Sequence, residues 1–296
     1  MKPPRFKRRL WTGRRGAAIL RDMTGRAAMD RAEWAAVERT PGELRLWLFR
    51  GDAEGPANAA PDNGDPAAAL RTMLAPGAAI DVIAAGWPET APARVPCPPP
   101  PPLPALALDG RIILRRLPGL VQDRPADLIG AQATRIGGHL FRHPDFDGVL
   151  CLPGQQTVWA HLSAGEIVSF RSFLTGELLS ALSTSAEGES AGFDEAVRDA
   201  LSRPAGLAAD LSTVRARLAA GTITPPAAHA RMAGLLIGAE LAAARPWWLG
   251  QPVTVIGEGW LSGRYAEALA SQGLAPAVAD PTDALLDGFR AARRAS

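Results

Sequence analysis

Two strand-rich runs, each opening on a hairpin pattern, begin about 110 residues apart in this chain of 296 residues. The first is Trp34-Ala-Ala-Val37, a turn at Thr40-Pro41-Gly42, and Leu44-Arg-Leu-Trp-Leu-Phe49. The second is Gly148-Val-Leu-Cys-Leu152, a break at Pro153-Gly154, then strand patterns over 157–162 and 165–170. The length suffices for two ordinary domains, each with its own core. The order of patterns recurs although the residues do not, which predicts two similar domains dividing near residue 146. Helical patterns alternate with the strands, so the expected class is α/β.

Between the hairpins, 52–66 is polar and rich in Gly, Pro and Asn, and reads as a loop. A helix is expected over 66–74 and a buried strand over 79–84. Residues 88–104 hold nine prolines, which excludes a central strand or a helix. That stretch is either a crossing loop or a polyproline II ligand for a partner. A strand is expected over 111–117, and a helix over 125–140 with Asp127 in its first turn. Further helices are expected over 174–183, 193–203, 207–220, 226–244, 261–272 and 281–294. A strand at 252–256 runs into Gly257-Glu258-Gly259 and then a helix. Such a turn lets a backbone approach a nucleotide closely, or merely lets a helix pack on a sheet.

The net charge of +2 conceals two unlike parts. Residues 1–31 carry ten Lys/Arg and two acids; the other 265 residues carry 22 basic and 28 acidic groups. The body is therefore mildly acidic, which argues against nucleic acid as a partner. The head reads as a basic arm for an anionic partner, or as a disordered extension ahead of a start at Met23 or Met29. Cys97 and Cys151 are too few for a disulfide framework, and His139, His143, His161 and His229 have no HExxH spacing. No apolar run reaches the ~20 residues of a membrane span. These contents suit a reducing cytoplasm.

Several blocks carry a family resemblance. Leu152-Pro-Gly-Gln-Gln-Thr-Val-Trp159 resembles LPGTHSKW, Phe173-Leu-Thr-Gly-Glu-Leu178 resembles FMTGEL, and Met232-Ala-Gly-Leu-Leu-Ile-Gly238 resembles SGLLIG. Val255-Ile-Gly-Glu-Gly259 with Tyr265-Ala-Glu-Ala-Leu269 is similar to IGSG…Y…AL. Leu117-Pro-Gly-Leu120 is similar to VPGL, and Gly86-Trp87 and Val95-Pro-Cys-Pro98 follow in the family's order. All are blocks of the 2-dehydro-3-deoxygalactonokinase family, and the resemblance covers about 34–293. It implies the sugar-kinase, hexokinase and actin superfamily: two ribonuclease H-like α/β domains around a central cleft. The domains would be 32–146 and 147–280, with 281–296 packing back on the first. ATP and Mg²⁺ would be the cofactors and a 2-keto-3-deoxy sugar acid the substrate. It leaves room for a homodimer.

The resemblance also assigns roles. Asp127 and Glu38 would be the catalytic acids, with Glu38 organising Mg²⁺. Arg45, Gly154, Thr157, Gly257 and Gly259 would meet the nucleotide. The plainer readings are a helix-start carboxylate for Asp127, an exposed hairpin acid for Glu38, a surface strand residue for Arg45, and helix packing for the two late glycines. Glu177 reads as a scaffold or cap residue, His161 as a strand histidine, and Trp247-Trp248 as a domain-edge pair.

Polar positions depart from the pattern more than apolar ones. DWGTSNLR aligns with Glu38-Arg-Thr-Pro-Gly-Glu-Leu-Arg45, so Pro41 removes a backbone donor and Glu43 adds a negative charge. The Arg of GSRQGW is Ala84, RGEET reads Gly130-Ala-Gln-Ala-Thr134, and the His and Lys of GTHSKW are Gln156 and Val158. Each interaction lost from a transition state costs about 10²–10⁴ in rate. The alternative to an active kinase is therefore a weak or inactive relative that binds a sugar acid, a nucleotide or a protein.

Overall fold

A computed structural model describes residues 32–74, 77, 79–182 and 191–296; the basic head lies outside the described residues. The fold is mixed α/β, as expected. Strands β1 (Trp34–Thr40) and β2 (Glu43–Arg50) form the first hairpin, with Thr40 opposite Glu43. Only Pro41 and Gly42 turn the chain. Proline sets the first φ, and Gly42 takes φ 86°, as a type II turn requires.

The segment expected as a loop over 52–66 contains two short strands, β3 (Ala53–Glu54) and β4 (Asn58–Pro61), both antiparallel to β2. The outer edge of β2 carries a row of backbone donors and acceptors, and the polar segment folds back to satisfy them. Helix α1 (Pro66–Met73) follows, its N-terminus capped by the Asp65 carboxylate on Ala68 N–H. Strands β5 (Ile80–Ala85), β6 (Ala93–Arg94), β7 (Leu106–Ala107) and β8 (Ile112–Arg116) come next. The proline-rich stretch holds no regular structure beyond the two residues of β6.

The helix expected from residue 125 is a hairpin instead. Strands β9 (Leu120–Asp123) and β10 (Ala126–Ile129) pair with Asp123 opposite Ala126, so Arg124-Pro125 is the turn. Proline suits the first turn of a helix and a tight turn equally, and burial with a period of two decides for the strand. Helix α2 (Gln132–Arg142) starts only after Gly130.

The second hairpin run is β11 (Gly148–Leu152), β12 (Thr157–Ser163) and β13 (Glu166–Phe173). Helices α3 (Thr175–Leu182), α4 (Phe193–Ser202), α5 (Leu207–Ala219), α6 (Pro225–Ala243) and α7 (Arg245–Trp248) follow. Then come β14 (Val253–Ile256), α8 (Gly259–Ser271), β15 (Ala277–Ala279) and α9 (Pro281–Arg294). The second sheet runs β13-β12-β11-β14-β15, antiparallel within the hairpins and parallel from β11 to β15. The first runs β3-β2-β1-β5-β8-β7, with β4 also on β2. In each, the opening strand sits inside its hairpin partner and next to a later strand. That shared order is the recurrence seen in the sequence.

By compactness the chain divides into two units: residues up to Val82 with Ala105–Leu114, and Ile83–Pro104 with Arg115–Ser296. The larger unit is layered. Val149, Cys151, Trp159, Val253 and Val255 face one way, under α4, α6 and α8. Leu150, Leu152, Val158, Ala160 and Ile256 face the other way, under β9, β10, α2 and α9. Burial on both faces makes Gly148–Leu152 an unbroken apolar run. Gly234 and Gly238 lie one turn apart on α6, and a side chain at either would strike the backbone of α4. The GLLIG block is thus a helix-packing face.

Candidate functional site

Strands β11 and β14 are parallel neighbours, with Cys151 opposite Val255. Their carboxyl ends are where open α/β sheets bind ligands. Two turns leave there, Pro153–Gln156 and Gly257–Gly259. A side chain on Gly257 would collide with Ser262 and come within 3.4 Å of Pro153 Cδ, so the turns abut. Gly259 opens α8 at φ 73° with open space around it. Helix α3 also starts at this end. Gly176 lies so close to the Gly154 carbonyl that no side chain would fit, and Glu177 N–H donates to Gln155 O at 2.9 Å. Gly154, Gly257 and Gly259 therefore collect at one end of one sheet, with the first turns of α3 and α8.

Asp127 stands beside this end, on β10 rather than at a helix start. Its Oδ2 accepts from Ser172 N–H at 2.7 Å and its Oδ1 from Leu128 N–H at 2.8 Å, which ties β10 to β13. Gln156, where the family pattern has His, reaches Leu128 O at 3.5 Å. Thr157 is fully buried, and its hydroxyl meets Tyr265 OH at 2.9 Å in the core. The Val158 side chain, where the pattern has Lys, is fully buried as well.

Beneath the turns lies a polar network that the sequence reading does not contain. Its centre is Glu240 of α6, 3% exposed. Oε1 accepts from Trp159 Nε1 at 2.7 Å; Oε2 accepts from Tyr265 OH at 2.7 Å and from the Thr175 hydroxyl. Burial pushes the Glu240 carboxyl up from its ordinary range, and the Thr175, Trp159 and Tyr265 hydrogen bonds oppose it. Burial, then the Glu240 charge, raises the Tyr265 phenol and the Cys151 thiol well above theirs. Thr175, Trp159 and Tyr265 belong to three of the resembling blocks, so one carboxylate joins them. The signal available in the sequence was Glu240 itself, the lone acid of a 19-residue helix and the only polar side chain after Arg231 in it.

In the smaller unit, Glu38 lies on β1 opposite Arg45 and is 1% exposed, which corrects the exposed-acid reading. It closes the buried part of the strand: Trp34 to Val37 before it are buried, and Arg39 and Thr40 after it are half-buried. Arg45 is exposed and pairs with Glu43 at 2.6 Å. Arg39 pairs with the buried Asp62 at 2.6 Å. Among the described residues no group of three or more His, Cys, Asp or Glu is placed to hold a metal ion. Trp248 is buried and donates to Leu241 O at 2.9 Å, a packing role.

Comparison with known proteins bears on this geometry. The model of the 2-keto-3-deoxy-galactonokinase family matches residues 44–292. A probable 2-dehydro-3-deoxygalactonokinase of Rhizobium meliloti (strain 1021) is 33% identical over 199 residues. That alignment takes in 62% of this chain and spans 64% of the length of the relative. The crystal structure of a Sinorhizobium meliloti protein assigned as a 2-dehydro-3-deoxygalactonokinase superposes with a TM-score of 0.78 at 26% identity. The match covers 88% of this chain and 96% of that one.

Proposed function

The chain belongs to the 2-keto-3-deoxy-galactonokinase family, and on that premise we propose that it binds ATP and a 2-keto-3-deoxy sugar acid and transfers a phosphoryl group to a hydroxyl of the acid. The observation that carries the reading is the convergence of Gly154, Gly257 and Gly259 at the carboxyl ends of β11 and β14. Glycines at that place let a phosphate approach the backbone closely; the Gly257 N–H itself donates to Ala279 O at 3.2 Å, so its part is close approach rather than donation. Bound ATP with Mg²⁺ supplies the transferred group. Mg²⁺ takes one or two carboxylates besides phosphate oxygens and water; Glu38, the acid the family resemblance offers for it, is 1% exposed on β1 and does not fit that role as it stands. Gly154, Gly257 and Gly259 would hold the nucleotide on the larger unit. The reading keeps the halves as 32–146 and 147–280. The packing of α9 on α2 supports the return of 281–296 to the first half; by compactness, however, 115–146 groups with the second half.

A second reading, binding with slow or absent turnover, is favoured by specific observations. Asp127 spends both carboxylate oxygens on backbone N–H groups. Arg45 is paired with Glu43, and Ala84 and Val158 are buried where the family pattern carries cations. Phosphoryl transfer depends on positioned charge, so these losses act on rate before binding. A coupled ADP-release assay with Mg²⁺, ATP and 2-dehydro-3-deoxygalactonate separates the two. Turnover at or above ~1 s⁻¹ establishes the first; calorimetric binding of Mg·ATP without ADP release establishes the second.

A further inference from the structure

The turn Pro153–Gln156 is held on both flanks, and both holds lead to the same side chain. On one flank, Thr157 Oγ1 meets Tyr265 OH at 2.9 Å, and Tyr265 OH donates to Glu240 Oε2 at 2.7 Å. On the other, Gly176 presses on the Gly154 carbonyl and Glu177 N–H donates to Gln155 O. Both residues belong to the first turn of α3, whose first residue, Thr175, donates to Glu240 Oε2. Trp159, farther along β12, donates to Oε1. Tyr265 sits one turn after Ser262 on α8, and Ser262 is the side chain against which Gly257 packs.

Three donors aim at this carboxylate, and among the described residues no cation forms an ion pair with it. Tyr265 has one proton and gives it to Glu240, so it accepts from Thr157; this orients the Thr157 hydroxyl inward. The nearest compensation for the buried charge is the N-terminal end of α3, whose dipole favours an anion. A nonpolar residue would fill this place at lower desolvation cost.

We propose that Glu240 is a positioning residue that sets the shape of the Pro153–Gln156 turn through two separate arms, Tyr265–Thr157 and Thr175–α3. This rests on the reading of that turn as the nucleotide-side loop, and it adds to that reading the group that fixes the loop.

The test is amide hydrogen exchange on the full chain, read at 153–157, at 175–178 and, as reference, at β14. Tyr265→Phe removes the first arm only and should speed exchange at Thr157 about tenfold, the equivalent of one buried hydrogen bond of ~1.4 kcal/mol. Thr175→Val removes the second arm only and should do the same at Glu177, while Thr175→Ser should restore it. Glu240→Gln should loosen both flanks and weaken Mg·ATP binding about tenfold by calorimetry. Equal acceleration across 153–157, 175–178 and β14 in each variant would overturn the proposal, because a purely structural role loosens the sheet evenly. So would unchanged exchange in all three variants. Should Glu240→Gln fail to fold, the two single-arm variants decide. Should the wild-type chain not bind Mg·ATP, the nucleotide reading falls, and the exchange pattern alone decides whether Glu240 holds the turn.

Discussion

At the scale of single residues, Asp127 and His139 make opposite points about polar groups. Asp127 resembles a reacting carboxylate in sequence, yet its oxygens are engaged by Ser172 and Leu128 N–H groups. Asp127→Ala should therefore lower stability by about 1–3 kcal/mol. A thermal melt should show it as a loss of roughly 2–4 °C per kcal/mol. Unchanged melting with abolished turnover would instead mark a reacting group. His139 is buried among His143 and Phe146, with ring centroids 4.7 Å away, and its Nε2 has no hydrogen-bond partner among the described residues. Burial, then the neighbouring His143, lowers its pKa to about 4. The unfolded chain thus binds a proton between pH 6.5 and 4 that the folded chain refuses, so stability is full above 6.5 and falls as pH drops to 4. His139→Gln should flatten this part of a plot of urea midpoint against pH; a slope as steep as that of the wild type would place the titration elsewhere.

At the scale of elements, close crossings of helices are specified by glycine. Helices α2 and α9 meet where Gly138 lies on the Ala284 carbonyl and Gly288 on that of Thr134. Gly138→Ala should cost about 1–3 kcal/mol by overpacking. Gly130→Ala, in open space, should cost nothing; equal melting temperatures for the two would contradict the crossing. Most elements of this kind were legible, because apolar period and length agree: β1 with β2, β11 with β12, and the long α6 needed only local pattern. The hairpin of β9 and β10 was not, because Pro125 signals a helix start and a turn alike. Strands β3 and β4 were not, because their reason to form is the outer edge of β2, which local sequence does not display. The candidate site was legible in its glycines, which carry backbone geometry. It was illegible in its carboxylates, since nothing in Asp127, Glu38 or Glu240 as letters tells which ties two strands together, which is buried on a strand and which centres a buried network.

For the molecule as a whole, the parts that would bind and the parts that would react are made of different material. Binding by backbone groups at the ends of β11 and β14 would survive the replacement of side chains, and those ends rest on the two cores on either face of the second sheet. Catalysis would rest on charged side chains, and the family's charged positions are filled here by Ala84, Val158, Gln132 and Ala133. Nucleotide binding should therefore persist more fully than turnover. A ligand that binds only the folded state adds about 2.7 kcal/mol at a hundredfold excess over Kd. At roughly 2–4 °C per kcal/mol, Mg·ATP at that excess should raise the melting temperature by about 5–10 °C. Gly259→Pro, which cannot adopt the positive φ of the turn and removes its N–H, should abolish that rise. A melting temperature indifferent to Mg·ATP, to Mg·ADP and to the sugar acid would sink both readings of function. A rise with the sugar acid alone would move the preserved site from the glycine turns to the substrate side.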